Sequence, residues 1–185
     1  MTGVRVLRAA GRTAVPWKNG GGVTREVAAL PENAGTEGFT WRVSLADVAA
    51  DGSFSTFPGT DRILTVVAGA GMDLDAGGRP LRAERYRPVP FPGDVPTGGR
   101  LLAGPVVNLN VMHRRGAVAA AVAVVRGALP VAVPPDTTVL VVALDGPAEV
   151  AGVRLGRYDA ARLDAPAPLL RTQGYAAVVT LGRTG

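Results

Sequence analysis

Proline and glycine punctuate this chain so often that a helix has almost nowhere to form. Fifteen prolines and 25 glycines are spread through 185 residues. A proline inside a helix removes a backbone donor and clashes with the preceding turn, so few windows allow three uninterrupted turns. Between the breakers lie short valine- and leucine-rich runs at residues 4–7, 23–28, 39–45, 62–68, 106–112, 118–125, 138–143 and 176–181. Apolar, β-branched runs bounded by turn signals are strand candidates. Turn signals recur at residues 19–22, 51–52, 76–78, 92–94, 97–99 and 145–147. Residues 46–50 read as one helical turn. Residues 116–125 are Ala-rich, yet valine at 118, 122, 124 and 125 favours a strand. Many short strands at this spacing predict an all-β sandwich or barrel.

The run Val66-Val67-Ala68-Gly69-Ala70-Gly71 returns 75 residues later as Val141-Val142-Ala143-Leu144-Asp145-Gly146. Each copy is followed by a glycine turn (Gly77-Gly78; Gly152) and then a leucine (Leu81; Leu155). The repeat predicts two antiparallel β-barrels in tandem, residues 1–115 and 116–185, closely packed as one unit.

Composition removes whole classes of chemistry. With no cysteine there are no disulfides, iron–sulfur clusters, thiolate zinc sites or cysteine nucleophiles. The single histidine, His113, cannot supply a two- or three-histidine metal site within one chain. The expected metal and cofactor complement is none, a metal shared between subunits through His113 being the one loophole. The net charge of +5 is diffuse: residues 1–115 carry 14 Lys/Arg against 10 Asp/Glu, and residues 116–185 carry 6 against 5. Basic residues this scattered argue against a nucleic-acid partner. The N-terminus has no apolar leader core. The longest apolar stretch, residues 116–125, is ten residues long, where a bilayer span needs about 20. The chain therefore reads as cytoplasmic, with no membrane partner.

Of the 20 basic residues, 19 are arginine, and Lys18 is the exception. Both tryptophans, all three serines and three of the four phenylalanines precede residue 58, so the unusual chemistry sits in the first third. There, Pro16-Trp17-Lys18-Asn19-Gly20-Gly21-Gly22-Val23-Thr24-Arg25-Glu26 places a flat aromatic, a compact cation and an amide beside three glycines that permit close approach. Such a loop suits a small anionic or amide-bearing ligand; alternatively, it is a strand entry with Trp17 capping the core. In Phe39-Thr40-Trp41-Arg42-Val43-Ser44-Leu45-Ala46-Asp47-Val48, strand alternation puts Trp41, Val43 and Leu45 on one face and Thr40, Arg42 and Ser44 on the other. Arg42 and Ser44 suit a carboxylate, or form a polar stripe on an outer sheet face. The hydroxyl-rich loop Asp51-Gly52-Ser53-Phe54-Ser55-Thr56-Phe57-Pro58-Gly59-Thr60 ends in the pair Asp61-Arg62. Serine catalysis would need an activating histidine, and His113 lies between Met112 and Arg114 with no nucleophile elbow nearby.

These blocks resemble the HutD/Ves family. The resemblance rests on Trp17 through Glu26, Trp41 through Val48, Asp51 through Ser55 and Phe57 through Arg62. It continues through Phe91-Pro92-Gly93-Asp94 and Leu109-Asn110-Val111-Met112 with Arg114. It covers most of residues 14–115, and the last 70 residues match only in architecture. It implies a bicupin: two cupin-type jelly-roll barrels, the first holding the pocket and the second degenerate. It also implies an association with histidine utilisation, through binding of a pathway intermediate, N-formylglutamate, that limits pathway output. Two departures stand out. The stretch where metal cupins carry histidines, residues 60–75, has none; Asp73 and Asp75 share a strand face there without imidazole. Asn108 stands where the family leads one to expect an acid.

The preferred reading is a non-catalytic binder of a small anionic metabolite, with a homodimer left open. Its expected ligand-binding residues are Trp17, Lys18, Asn19, Gly21, Arg42, Ser44, Ser55, Asp61, Arg62 and Asn110, with Lys18 and Arg42 as the cationic anchors. No catalytic residue is assigned. The alternative is a metal-independent isomerase or lyase acting on a small acid, drawing on Asp47, Asp61 or Lys18 for proton transfer.

Overall fold

The computed structural model describes residues 3–164 and 168–185. Among them are seventeen strands, one 3-10 turn and no α-helix. Strand β1 (Val4–Leu7) leads into the 3-10 turn Ala9–Gly11. Ten strands follow: β2 (Ala14–Pro16), β3 (Gly22–Leu30), β4 (Trp41–Val48), β5 (Gly52–Phe54), β6 (Thr60–Ala68), β7 (Met72–Ala76), β8 (Arg79–Ala83), β9 (Val89–Pro92), β10 (Thr97–Leu101) and β11 (Val106–Arg114). The last six are β12 (Val118–Pro130), β13 (Thr137–Ala143), β14 (Ala148–Val150), β15 (Val153–Leu155), β16 (Ala160–Leu163) and β17 (Leu169–Arg183). Strands β1–β11 and β13–β17 pair antiparallel, and both barrels are built from them.

The chain divides into two compact units, Thr13–Val118 and the combination of Met1–Arg12 with Ala119–Gly185. In the Thr13–Val118 unit, a six-stranded sheet runs β2-β3-β4-β11-β6-β9 and a four-stranded sheet runs β5-β10-β7-β8. Their inner faces share one apolar cluster. Ala46, Val48, Leu64, Val66, Phe91 and Val106 come from the first sheet; Phe54, Met72, Leu74, Ala76 and Ala83 come from the second. Alternation sets this arrangement: even-numbered residues of β4, β6 and β11 point inward, and their odd neighbours Val43, Leu45, Val67, Leu109 and Val111 are buried on the other face. The helical turn expected at residues 46–50 does not form. Ala46 and Val48 continue β4, paired with Thr24 and Gly22 on one side and with Asn108 and Val106 on the other. Two neighbouring ladders outweigh the modest helix propensity of an Ala-containing stretch.

The other unit is a seven-stranded sheet ordered β1-β16-β13-β17-β14-β15, with β12 also paired to β17. Its cluster of Val131, Val139, Val141, Ala143, Val150, Leu155, Leu163 and Leu170 is wholly apolar. The sequence division at 115/116 placed residues 1–12 in the first barrel. Strand pairing places them in the second, because Val4–Leu7 aligns with Leu163–Ala160, a match across more than 150 residues that no local pattern reveals. The 75-residue repeat lands on equivalent elements. The ends of β6 and β13 each lead to a hairpin, β7–β8 and β14–β15, whose turn residues both have positive φ: Gly77 and Gly78 at 60° and 84°, Ala151 and Gly152 at 51° and 78°. That geometry matches the twist of the flanking strands.

Asp159 pins the N-terminal segment. It accepts hydrogen bonds from Arg8 Nη1 (2.7 Å), Ala9 N (2.8 Å) and Gly156 N (3.0 Å). Burial pushes its carboxyl up, but the Ala9, Arg8 and Gly156 donors outweigh that and hold it below the usual carboxylate range. A depressed folded-state value means this contribution is present above about pH 4 and is lost as pH falls through the lower, folded value. Asp159→Asn is therefore expected to cost about 1–3 kcal/mol at neutral pH. The gap to wild type should close in acid, as chemical denaturation at a series of pH values would show.

Candidate functional site

The inner face of the six-stranded sheet carries an unusual amount of polarity for a barrel core. Arg42, Ser44, Arg62 and Asn110 are 8%, 2%, 5% and 4% exposed. Register brings them together. Asn110 lies opposite Ser44 on β4 and Leu64 on β6; Met112 lies opposite both Arg42 and Arg62; Ser44 lies opposite Glu26 on β3. Side chains close the ring. Arg62 Nη2 donates to Asn110 Oδ1 at 3.2 Å, and Arg42 Nε donates to Glu26 Oε2 at 2.9 Å.

Arg62 is the centre of the site. Its guanidinium carbon lies 5.2, 5.8 and 5.3 Å from the ring centroids of Phe54, Phe57 and Phe91, so three aromatics cage one cation. Five N–H donors are available on an arginine. Two hydrogen bonds use them, to Asn110 and to the Ser55 carbonyl, and both are long, at 3.2 and 3.3 Å. Nε is buried with no partner. No carboxylate among the described residues pairs with Arg62. Burial pulls its guanidinium down to about 10, and repulsion from Arg42 adds to the shift. Arg42, by contrast, is paired with Glu26, whose side chain is 32% exposed against 10% for Arg42.

The sequence-expected residues divide. Arg42, Ser44, Arg62 and Asn110 join the ring, so the Arg42/Ser44 stripe faces the interior, not an outer surface. Trp17 stands beside it: Nε1 donates to Thr24 Oγ1 at 2.8 Å, and the ring meets Phe54 edge-on at 5.6 Å. Gly22 makes room, since a Cβ there would approach the Trp17 ring to 3.0 Å and the Asp47 carbonyl to 2.6 Å. Ser55 contributes its carbonyl, not its exposed hydroxyl. Asn19 and Gly21 shape the turn instead: Asn19 Oδ1 accepts from Gly21 N at 3.0 Å, and its Nδ2 reaches the Ser53 carbonyl at 3.4 Å. Lys18 is exposed on that turn, which Gly20 N closes onto Trp17 O at 3.0 Å. The turn sits at the Gly22–Val48 end of the β3–β4 pair. Arg42 is six residues further along β4, about 20 Å at the strand rise, so Lys18 and Arg42 do not converge. Asp61 points away from the interior and binds Arg115 Nη2 at 2.7 Å. Asp47 likewise pairs outside, with Arg25.

Sequence reasoning missed Glu26 and the phenylalanine cage. An open groove of about 830 Å³ on the four-stranded sheet, bordered by Asp73, Asp75, Arg82 and Arg100, lies apart from the ring. Its charges are already engaged. Arg82 and Arg100 both bind Asp73, at 2.5 and 2.8 Å, and Asp75 accepts from Gly78 N at 2.7 Å. His113 Nδ1 lies 2.6 Å from the Val118 carbonyl, an oxygen that can only accept, so that nitrogen carries the proton.

The HutD family model matches residues 9–180. The chain belongs to the HutD family. Its relatives include a Pseudomonas putida protein from the hutC 3' region, 39% identical over 114 residues, which is 61% of this chain and 60% of that protein. Protein Ves of Citrobacter koseri is 37% identical over 101 residues, 54% of this chain and 52% of its own length. The matches thus span about half to three-fifths of the curated relatives. Coverage is fuller in three dimensions. HutD from Pseudomonas fluorescens SBW25, in a formate condition, superposes with a TM-score of 0.85 at 33% identity, over 98% of this chain and 100% of that one. The chain is accordingly all-β, built of antiparallel, cupin-like barrel sheets. Among its described residues no helix is long and apolar enough to cross a membrane.

Proposed function

We propose that the interior of the Thr13–Val118 barrel binds a small carboxylate, with Arg62 and Arg42 as its cationic anchors, and that the protein modulates histidine utilisation without catalysing a reaction. The observation that carries this reading is Arg62: a buried guanidinium with an unpartnered Nε and no carboxylate of its own. Burying an unpaired charge is expensive, and a bound anion would relieve that cost. Ser44, whose buried side chain lies between Asn110 and Glu26, is positioned to donate to the same anion.

One likeness supports the biological half of the reading: a relative takes its name from the hutC 3' region. N-formylglutamate carries two carboxylates and a formamide group, and is the leading candidate ligand. A non-catalytic role fits better than an isomerase or lyase, because Asp47 and Asp61 both face outward in ion pairs.

Calorimetric titration with formate, N-formylglutamate and urocanate tests the reading. Arg42→Met is expected to weaken binding roughly tenfold to a hundredfold, one charge-assisted hydrogen bond's worth. Lys18→Met should change it less than about threefold and leave stability within about 0.5 kcal/mol. If wild type binds none of the three, the ligand assignment fails. If Lys18→Met is the damaging variant, the anchors are misassigned.

A further inference from the structure

We infer that Asn108 reads the uncharged part of the ligand, its Oδ1 accepting a hydrogen bond from an N–H group of the bound carboxylate at the deep end of the barrel. This deepens the carboxylate-binding reading and rests on it. Asn108 is 0% exposed, and its Oδ1 is buried without a hydrogen-bond partner. Its Nδ2 donates to Met72 Sδ at 3.6 Å. A thioether sulfur accepts and cannot donate, so the nitrogen end of the amide faces Met72 and the oxygen is the end left over. The residues opposite Asn108 on either side, Ala46 on β4 and Val66 on β6, have no side-chain donor to offer it. A buried acceptor without a donor costs stability, and a ligand N–H would relieve that cost.

Two independent routes tie Asn108 to Arg62. Along β11, Asn108 and Asn110 share the inner face about 7 Å apart, and Asn110 Oδ1 accepts from Arg62 Nη2 at 3.2 Å. Across the barrel, Met72 bonds Asn108 and reaches the aromatic cage: a Cβ on Gly99 would touch both Met72 Cε and the Phe54 ring, at 2.6 and 2.7 Å. Phe54 in turn lies under the Arg62 guanidinium at 5.2 Å. The free donor of Arg62 and the free acceptor of Asn108 therefore border the same apolar cluster. N-formylglutamate presents the complementary pair, a carboxylate and a formamide N–H joined by a short alkyl chain. Met72 is the side chain that can yield to it, being unbranched and flexible and held to Asn108 by a weak sulfur contact.

The test compares N-formylglutamate with the formate ester of 2-hydroxyglutarate, which keeps both carboxylates and the formyl oxygen and replaces the N–H by oxygen. Both are titrated calorimetrically into the full chain as wild type, Asn108→Leu and Arg62→Met, and the melting temperature of each protein is recorded. Wild type is expected to bind the amide roughly tenfold to a hundredfold more tightly than the ester. Asn108→Leu, close in size and without an acceptor, should bring the two affinities within about threefold of each other. It should melt at or above the wild-type temperature, because an unsatisfied buried group has gone. Equal binding of amide and ester by wild type, or an unchanged preference in Asn108→Leu, overturns the inference while leaving the carboxylate site standing. Undiminished binding of both by Arg62→Met, or binding of neither by wild type, removes the site itself and the inference with it. If Asn108→Leu does not fold, Asn108→Ala takes its place in the affinity comparison.

Discussion

Replacing Arg62 with Met is expected to abolish carboxylate binding, by about a hundredfold or more, while leaving the protein within about 1 kcal/mol of wild-type stability. The two halves of this result have different origins. In the ligand complex, Arg62 supplies charge-assisted hydrogen bonds inside a low-dielectric barrel, each worth about 1.5–3 kcal/mol. In the free protein the same charge is a burden: it is buried, its Nε has no partner, and Arg42 repels it. Replacing buried charge by an apolar residue of similar size is often neutral or stabilising. Met fits the cage, because sulfur packs well against phenylalanine rings. Against that gain stand two long hydrogen bonds, to Asn110 and Ser55, and the cation–ring contacts. The opposing effects come out close to even. Urea denaturation read beside calorimetry separates the outcomes. A variant that loses binding only because it unfolds would make Arg62 a structural residue.

Phe54→Ala is expected to be the most destabilising single change around the site, by about 3–5 kcal/mol. Phe54 is 7% exposed and joins the apolar cluster of its barrel. It also meets Trp17 edge-on and lies beneath Arg62. Packing around it is tight: a Cβ on Gly99 would come within 2.7 Å of the Phe54 ring and 2.6 Å of Met72 Cε. Truncation therefore leaves a cavity under the cation. The melting temperature should fall by roughly 6–20 °C, taking about 2–4 °C per kcal/mol for a chain of this size. Tryptophan emission should shift to the red as Trp17 becomes wetter. Phe54→Leu should recover most of the stability, since the cavity is largely refilled. A loss below about 1 kcal/mol for the Ala variant would show that Phe54 does not support the barrel as described.

Strand periodicity made half of the ring legible. Arg42 and Ser44 could be placed on one face because side chains alternate with period two, and β4 pairs with β11 along its full length without a register shift. Glu26 escaped notice because it meets Arg42 only after β3 and β4 have paired, beside a register shift that breaks simple alternation. The cage escaped for a related reason: Phe91, more than thirty residues beyond Phe54 and Phe57, joins them only where all three surround Arg62. Lys18 drew attention by its rarity in an arginine-rich composition, yet rarity carries no position, and the turn it occupies faces solvent. The repeat foretold two barrels, but not that β1 would cross to β16. Local sequence reports which residues suit a strand; only the closed sheet decides which strand lies beside it.

A ligand-bound crystal structure tests the central claim most directly. Crystals of the full chain soaked with N-formylglutamate or formate are predicted to show a carboxylate inside the Thr13–Val118 barrel. One of its oxygens should lie within hydrogen-bond distance of an Arg62 guanidinium nitrogen, and the group should face Ser44, with Arg42 on its other side. A carboxylate bound instead at the Lys18 turn, with the Arg62 cage unchanged and unliganded, would contradict the account.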